Sequence, residues 1–171
     1  SIGQYVNKFE KLIAEFTNSK KAIALVNGTS ALHLALKVLG INSDDEVICP
    51  SLTFVATANA ISYLNAKPHF VDINEHTLGI DPLALEKWLN QIIIEKDGKS
   101  INKNTGRRIK AIIPMHTFGH PVEIESIIEI ANRYNLSVIE DAAESLGSFY
   151  RKKHTGTFGK VGILSFNGNK I

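Results

Sequence analysis

Only one cysteine, Cys49, occurs among the 171 residues. An internal disulfide is therefore excluded, and a lone thiol fits a reducing, cytoplasmic setting. Charge of one sign is also scarce: 19 Lys and Arg against 17 Asp and Glu leave a formal net charge of +2. So small a surplus argues against nucleic acid or an anionic membrane as the main partner. No apolar run approaches the roughly 20 residues that span a bilayer. The opening stretch SIGQYVNKFE lacks the basic-then-apolar profile of a secretory signal. It also lacks an initiating methionine, so a preceding segment is expected. There is no G-x-G-x-x-G pattern, which argues against a nucleotide-binding dehydrogenase domain. Internal repeats and low-complexity blocks are absent too, and no metal site is expected.

What is present is ordinary globular material, 44% hydrophobic and 21% charged, long enough to bury a real core as one domain over residues 1–171. Short apolar runs alternate with longer helical patterns. The strand candidates are KAIALV (Lys21–Val26), DEVICP, KPHFVDI, IKAIIPMH, LSVIEDAA and VGILSFN. Between them, SALHLALKVLG places Leu32, Ala35, Leu36 and Leu39 on one helical face, with Gly40 as the stop. TFVATANAISYL reads as a helix despite its β-branched residues. DPLALEKWLNQII opens with Asp81 as N-cap and Pro82 at the first helical position. VEIESIIEIANRYN is amphipathic. The polar stretch EKDGKSINKNTGRRIK reads as an exposed hairpin or a mobile loop. Continuous apolar strands alternating with helices predict an α/β fold: three layers, with a mostly parallel sheet flanked by helices.

In such a sheet, ligands bind outside the carboxyl ends of the strands. Three loops there carry candidate chemistry. NGTSAL places Gly28, Thr29 and Ser30 where a helix opens, and free N–H groups at a helix start suit a phosphate. The plainer reading is a strand-to-helix turn with Thr29 or Ser30 as N-cap. IEDAAESLG puts Asp141 at a strand end, where a carboxylate could hold a proton on a ring nitrogen. The plainer reading makes Asp141 a loop cap and Glu144 a solvated helix start. GILSFNGNK offers Ser165 and, after a tight polar turn, Lys170, whose amine becomes nucleophilic when its surroundings lower its proton affinity. The plainer reading of Lys170 is a solvated lysine. Together these loops offer a phosphate cradle, an acid for a ring nitrogen and an amine able to form a Schiff base, the three needs of pyridoxal phosphate.

The chain resembles the DegT/DnrJ/EryC1/StrS family of sugar aminotransferases, of fold type I. The resemblance runs through NGTSALHLAL, DEVICPSLTFVATANAI, PHFVDI, PMHTFGHP, EDAAESLGS, TGTFGKVGILSF and NGNK, and so covers essentially the whole chain. It is most like members that aminate UDP- or GDP-linked 4-keto-6-deoxy sugars toward bacillosamine or legionaminic acid. The resemblance implies pyridoxal 5′-phosphate as cofactor, with Lys170 as the Schiff-base lysine and Asp141 on the pyridinium nitrogen. Gly28, Thr29, Ser30 and Ser165 match the phosphate site. Phe54 matches an aromatic residue lying against the cofactor ring, although the motif alone fits core packing equally well. Glu144 stands where many relatives have Gln beside the ring's 3-hydroxyl oxygen. An ionised Glu144 would repel that oxygen, so it must be protonated, turned away or paired. His116 and His120 either brace their loop or touch ligand.

The reaction implied moves an amino group from an amino acid, usually glutamate, to a nucleotide-linked 4-keto sugar, with Lys170 as general base and acid. Some relatives that dehydrate sugars have His in place of this lysine, so Lys170 favours transamination. The resemblance also implies that the chain is a partial large domain, without the small C-terminal domain, and that the full-length protein is a homodimer. Alone, these residues are expected to turn over little. The alternatives are a non-catalytic cofactor-binding or dimerisation domain, or a related sugar dehydratase.

Overall fold

The structure, a computed structural model, describes residues 3–170. The chain begins with α1 (Gln4–Thr17), which ends at Asn18 in the left-handed region, φ 54°, a conformation Asn tolerates better than most residues. Phe9 of α1 packs edge-on against Phe166, centroids 4.9 Å apart, while Tyr5, Leu12 and Phe16 remain exposed.

The next segment corrects an expectation. Lys21–Val26 forms no strand, and Ile23, Leu25 and Val26 are exposed. Strand propensity needs a neighbouring strand to become a strand, and among the described residues none pairs with this segment. Helix α2 (Gly28–Val38) follows. Its N-cap is Asn27, whose side chain accepts the Ser30 N–H, rather than Thr29 or Ser30. Gly40 ends the turn as expected, at φ 73°. Its N–H bonds Lys37 O at 2.9 Å and the Ile41 N–H bonds Leu36 O at 3.1 Å, the paired closure that a left-handed glycine permits.

Then come β1 (Asp45–Pro50), α3 (Val55–Ser62), β2 (Lys67–Val71) and α4 (Pro82–Ile92), the last capped by Asp81 onto Leu83 and Ala84 N–H. The polar stretch resolves as a hairpin, β3 (Ile93–Lys96) and β4 (Lys99–Asn102), turned at Asp97-Gly98, both with positive φ. This is the turn geometry that twists with the strands. After it lie β5 (Arg108–Ile112), α5 (Ile124–Arg133), β6 (Ser137–Asp141), a small hairpin of β7 (Phe149–Tyr150) and β8 (Lys153–His154), and β9 (Val161–Ile163).

The parallel part of the sheet runs β2-β1-β5-β6-β9, and the β3–β4 hairpin adds antiparallel to β5. Alternate side chains leave the sheet on opposite faces. Ile48, Ile112 and Val138 enter one core with α4 and α5. Val47, Cys49, Ala111, Ile113 and Ile139 enter the other with α2 and α3. The result is the three-layer α/β arrangement expected. Buried Glu46 ties the β3–β4 hairpin to this sheet. It accepts hydrogen bonds from Asn102 at 2.9 Å and Thr105 at 2.6 Å, and meets His69 Nδ1 at 3.0 Å. The Trp88 indole N–H in turn donates to His69 Nε2 at 2.6 Å.

Candidate functional site

The carboxyl ends of β1, β5, β6 and β9 lie at one end of the parallel sheet, with the start of α2 packed against the end of β9. At the end of β6, strand alternation sends two neighbouring carboxylates opposite ways. Glu140 turns inward and is fully buried. It accepts the N–H groups of Gly156 at 2.7 Å and of Phe158 and Gly159 at 2.6 Å, and meets His116 Nε2 at 3.1 Å. The loop that supplies these donors lies so close that a Cβ at Gly162 would come within 1.9 Å of Gly156 O. His116 also accepts the Val122 N–H at its other ring nitrogen. Of the two roles open to His116, the structure therefore gives it the bracing one. His120 makes no side-chain hydrogen bond among the described residues.

Asp141 takes the other direction. Its backbone is fixed on both sides, with N–H to Pro114 O at 2.8 Å and O accepting the His116 N–H at 3.1 Å. Its side chain accepts the Thr57 hydroxyl on Oδ2 at 2.6 Å and, more loosely, the Ala143 N–H on Oδ1 at 3.3 Å. Burial raises the Asp141 carboxyl above its ordinary value; the Thr57 and Ala143 hydrogen bonds and the nearby Lys170 offset part of that rise. Thr57 was not legible as a site residue: in sequence it is one β-branched residue of a helix, 84 positions away.

Lys170 lies in the turn after β9. Its Nζ sits 2.6 Å from Glu144 Oε1 and 5.4 Å from the centroid of the Phe54 ring. Of the three possibilities for Glu144, the structure shows the paired one. Its other oxygen accepts the Phe118 N–H at 3.1 Å. The hydrogen bond from Lys170 is the main reason the Glu144 carboxyl is held below its ordinary value, against partial burial. Phe118 adopts a left-handed backbone, φ 52°, and the next residue must be small: a Cβ on Gly119 would lie 2.9 Å from Glu144 O. Phe54, at the N-cap of α3, is 62% exposed, so its ring is available as a face and is not core packing.

At the start of α2, a Cβ on Gly28 would lie 3.7 Å from Ser165 Cβ, which puts the glycine and the serine side by side. Asn27 already takes the Ser30 N–H through its side chain and the Ala31 N–H through its carbonyl. The Gly28 and Thr29 N–H groups keep no partner among the described residues. Two free N–H groups at a helix start, with a serine hydroxyl beside them, are the kind of donors that suit an anion.

The model of the DegT/DnrJ/EryC1/StrS aminotransferase family matches residues 1–171. The chain belongs to this family. Within it, the chain is 43% identical over 171 residues to GDP-perosamine synthase of Caulobacter vibrioides, covering 100% of this chain and 42% of that protein. A crystal structure of a family aminotransferase from Brucella abortus superposes with a TM-score of 0.90 at 36% identity, over 99% of this chain and 43% of that one. NtdA of Bacillus subtilis, solved with bound cofactor PMP, superposes with a TM-score of 0.74 at 34% identity, over 90% of this chain and 32% of that one. The chain thus spans 40–42% of the length of the curated relatives it matches. No helix among the described residues is long and apolar enough to cross a membrane.

Proposed function

We propose that this chain carries the cofactor-holding part of a pyridoxal phosphate-dependent aminotransferase. The whole protein moves an amino group from an amino acid, glutamate by family precedent, to a nucleotide-linked 4-keto-6-deoxy sugar. The observation that carries this reading is that Lys170, Asp141 and the Gly28–Ser165 pair lie together at the carboxyl end of the parallel sheet, in a chain of this family. The name of the Caulobacter relative supports a nucleotide sugar as substrate. These residues fit the cofactor by their chemistry: free N–H donors for a phosphate, a carboxylate for a ring nitrogen, an exposed aromatic face and a nearby amine.

When bound, the group supplies an electron sink and a reversible linkage between amine and carbonyl. The chain's own residues do the rest. The free N–H groups of Gly28 and Thr29, with Ser165, hold the phosphate end. Asp141, whose Oδ1 is the less engaged oxygen, would accept a hydrogen bond from a protonated ring nitrogen and so favour the protonated ring. Lys170 Nζ, released from Glu144, would provide the attachment point and, once freed by the amino donor, would act as general base and acid, taking a proton from the substrate carbon in one half-reaction and returning one to it in the other. The segments that complete the substrate site lie outside these residues, and the active protein is a homodimer.

Absorption spectroscopy tests the reading. On addition of pyridoxal phosphate the chain turns yellow. A chain extended to the full span of its relatives is also yellow and bleaches when glutamate is added, whereas the shorter chain bleaches slowly or not at all. A full-span protein that binds the cofactor yet never responds to glutamate contradicts the aminotransferase reading and supports a binding module.

A further inference from the structure

Among the described residues, three α-helical Ser and Thr side chains donate a hydrogen bond: Thr17, Thr57 and Ser62. Thr17 Oγ1 and Ser62 Oγ each bond the carbonyl four residues back, Ile13 O at 2.8 Å and Ala58 O at 3.1 Å. This is the common local solution for a hydroxyl in a helix. Thr57, the third residue of α3, is fully buried and does otherwise. Its single proton goes to Asp141 Oδ2 at 2.6 Å. Its lone pair accepts from Thr53 Oγ1 at 3.0 Å, the shortest of the contacts open to the Thr53 hydroxyl. The direction is therefore fixed: Thr53 donates to Thr57, which donates to Asp141. Each bond in such a chain polarises the next.

We propose that Thr57 is a positioning residue for the cofactor, its hydroxyl, oriented by Thr53, holding the buried Asp141 carboxylate ionised and in one rotamer so that Oδ1 keeps an open lone pair. This rests on the cofactor reading above. A buried carboxylate without hydrogen bonds takes up a proton rather than stay charged, and a protonated Asp141 no longer favours a charged ring nitrogen. The Ala143 N–H at 3.3 Å is too long to do this work alone. The titratable groups that bear on Asp141 are His116, from the loop after β5, and Lys170. Both favour the carboxylate, and neither is changed by substitution at Thr57.

The test compares Thr57→Ser, which keeps the hydroxyl, with Thr57→Val, which keeps the shape and loses it. Asp141 ionisation is followed by carboxylate carbon NMR in the cofactor-free chain, with Asp141→Asn assigning the signal. Pyridoxal phosphate affinity is measured in parallel by absorbance. The Asp141 midpoint moves upward in Thr57→Val and stays in place in Thr57→Ser, and affinity falls about tenfold in the valine variant only, the loss of roughly one charge-assisted hydrogen bond. Thr53→Val, which removes only the donor to Thr57, shifts the midpoint in the same direction by less, and it decides the matter if Thr57→Val does not fold. Equal midpoints in the folded variants overturn the proposal. A shifted midpoint in a chain that binds no pyridoxal phosphate upholds the Thr57–Asp141 coupling and refutes the cofactor reading instead.

Discussion

The amine of Lys170 and the carboxylate of Glu144 form an ion pair 2.6 Å apart, the lysine 12% exposed and the glutamate 27%. The pair answers the question raised by an acid at this position. Glu144 thus ties the lysine amine to the loop after β5, because the same carboxylate clamps the Phe118 backbone. Joining a cofactor means breaking that pair. Glu144→Gln therefore speeds attachment of pyridoxal phosphate at neutral pH, while global stability changes by less than about 1 kcal/mol, as for partly exposed ion pairs. Stopped-flow absorbance and urea unfolding measure the two effects. Because the Glu144 carboxyl is held below its ordinary value of 4.5, the pair is intact above that pH. It is lost as pH falls through the folded value.

Asp141 carries the opposite sign. Burial outweighs its hydrogen bonds and raises its carboxyl above the ordinary 3.8. The folded chain then holds that proton more tightly than the unfolded chain does. Stability is fully present below the unfolded value and declines as pH rises through the folded one. Asp141→Asn is accordingly more stable than the parent in the absence of cofactor at neutral pH, and the advantage disappears in acid. Urea titrations at both ends of the range check this. Equal stability at neutral pH counts against a strained Asp141.

Glu46 is a structural acid near the amino end of β1. Burial pushes its carboxyl up, but hydrogen bonds from Thr105, Asn102 and His69 prevail and hold it below the ordinary value. Glu46→Gln presents an amide to donors that need an acceptor, at a cost of about 1–3 kcal/mol. In the parent chain this contribution is present above the ordinary carboxylate value and lost as pH falls through the folded value. Chemical unfolding of the variant, with amide exchange across Lys99–Asn102, locates the loss in the hairpin.

Cys49 reports on opening of the core. It is fully buried in β1, and burial pushes its thiol up to about 12. Its reaction with a thiol reagent at neutral pH is slower than in the unfolded chain by on the order of 1,000-fold or more, since labelling then requires global opening. Rapid labelling under native conditions would place β1 at a mobile edge.

Much of this arrangement was legible because short-range rules agree with the fold. The apolar runs of β1, β5 and β6 are buried on both faces, so they read as strands without alternation. Asp81 and Pro82 announce α4 by chemistry that the first turn of a helix requires. The motif loops of Asp141 and Lys170 follow strands because α/β topology puts them there, whereas Gly28 reaches the same end of the sheet by packing the start of α2 against β9. What failed had a long-range cause. Lys21–Val26 has strand composition, yet composition cannot supply the neighbour a strand needs. α1 escaped notice because Gly3 offers no side-chain cap and much of its apolar face is left exposed. Glu140 and Asp141 are neighbouring acids that are both buried; the pleat gives the Gly156–Gly159 loop to Glu140 and turns Asp141 toward Thr57. Thr57 meets Asp141 only when α3 folds over the sheet.

The central claim is that Lys170, among the many lysines of this chain, is the one that joins pyridoxal phosphate. Borohydride reduction of the mixture followed by peptide mass mapping tests it most directly. The account predicts a single modified peptide containing Lys170, lost in Lys170→Ala and strongly reduced in Asp141→Asn. Modification scattered over surface lysines, unchanged in both variants, would contradict it.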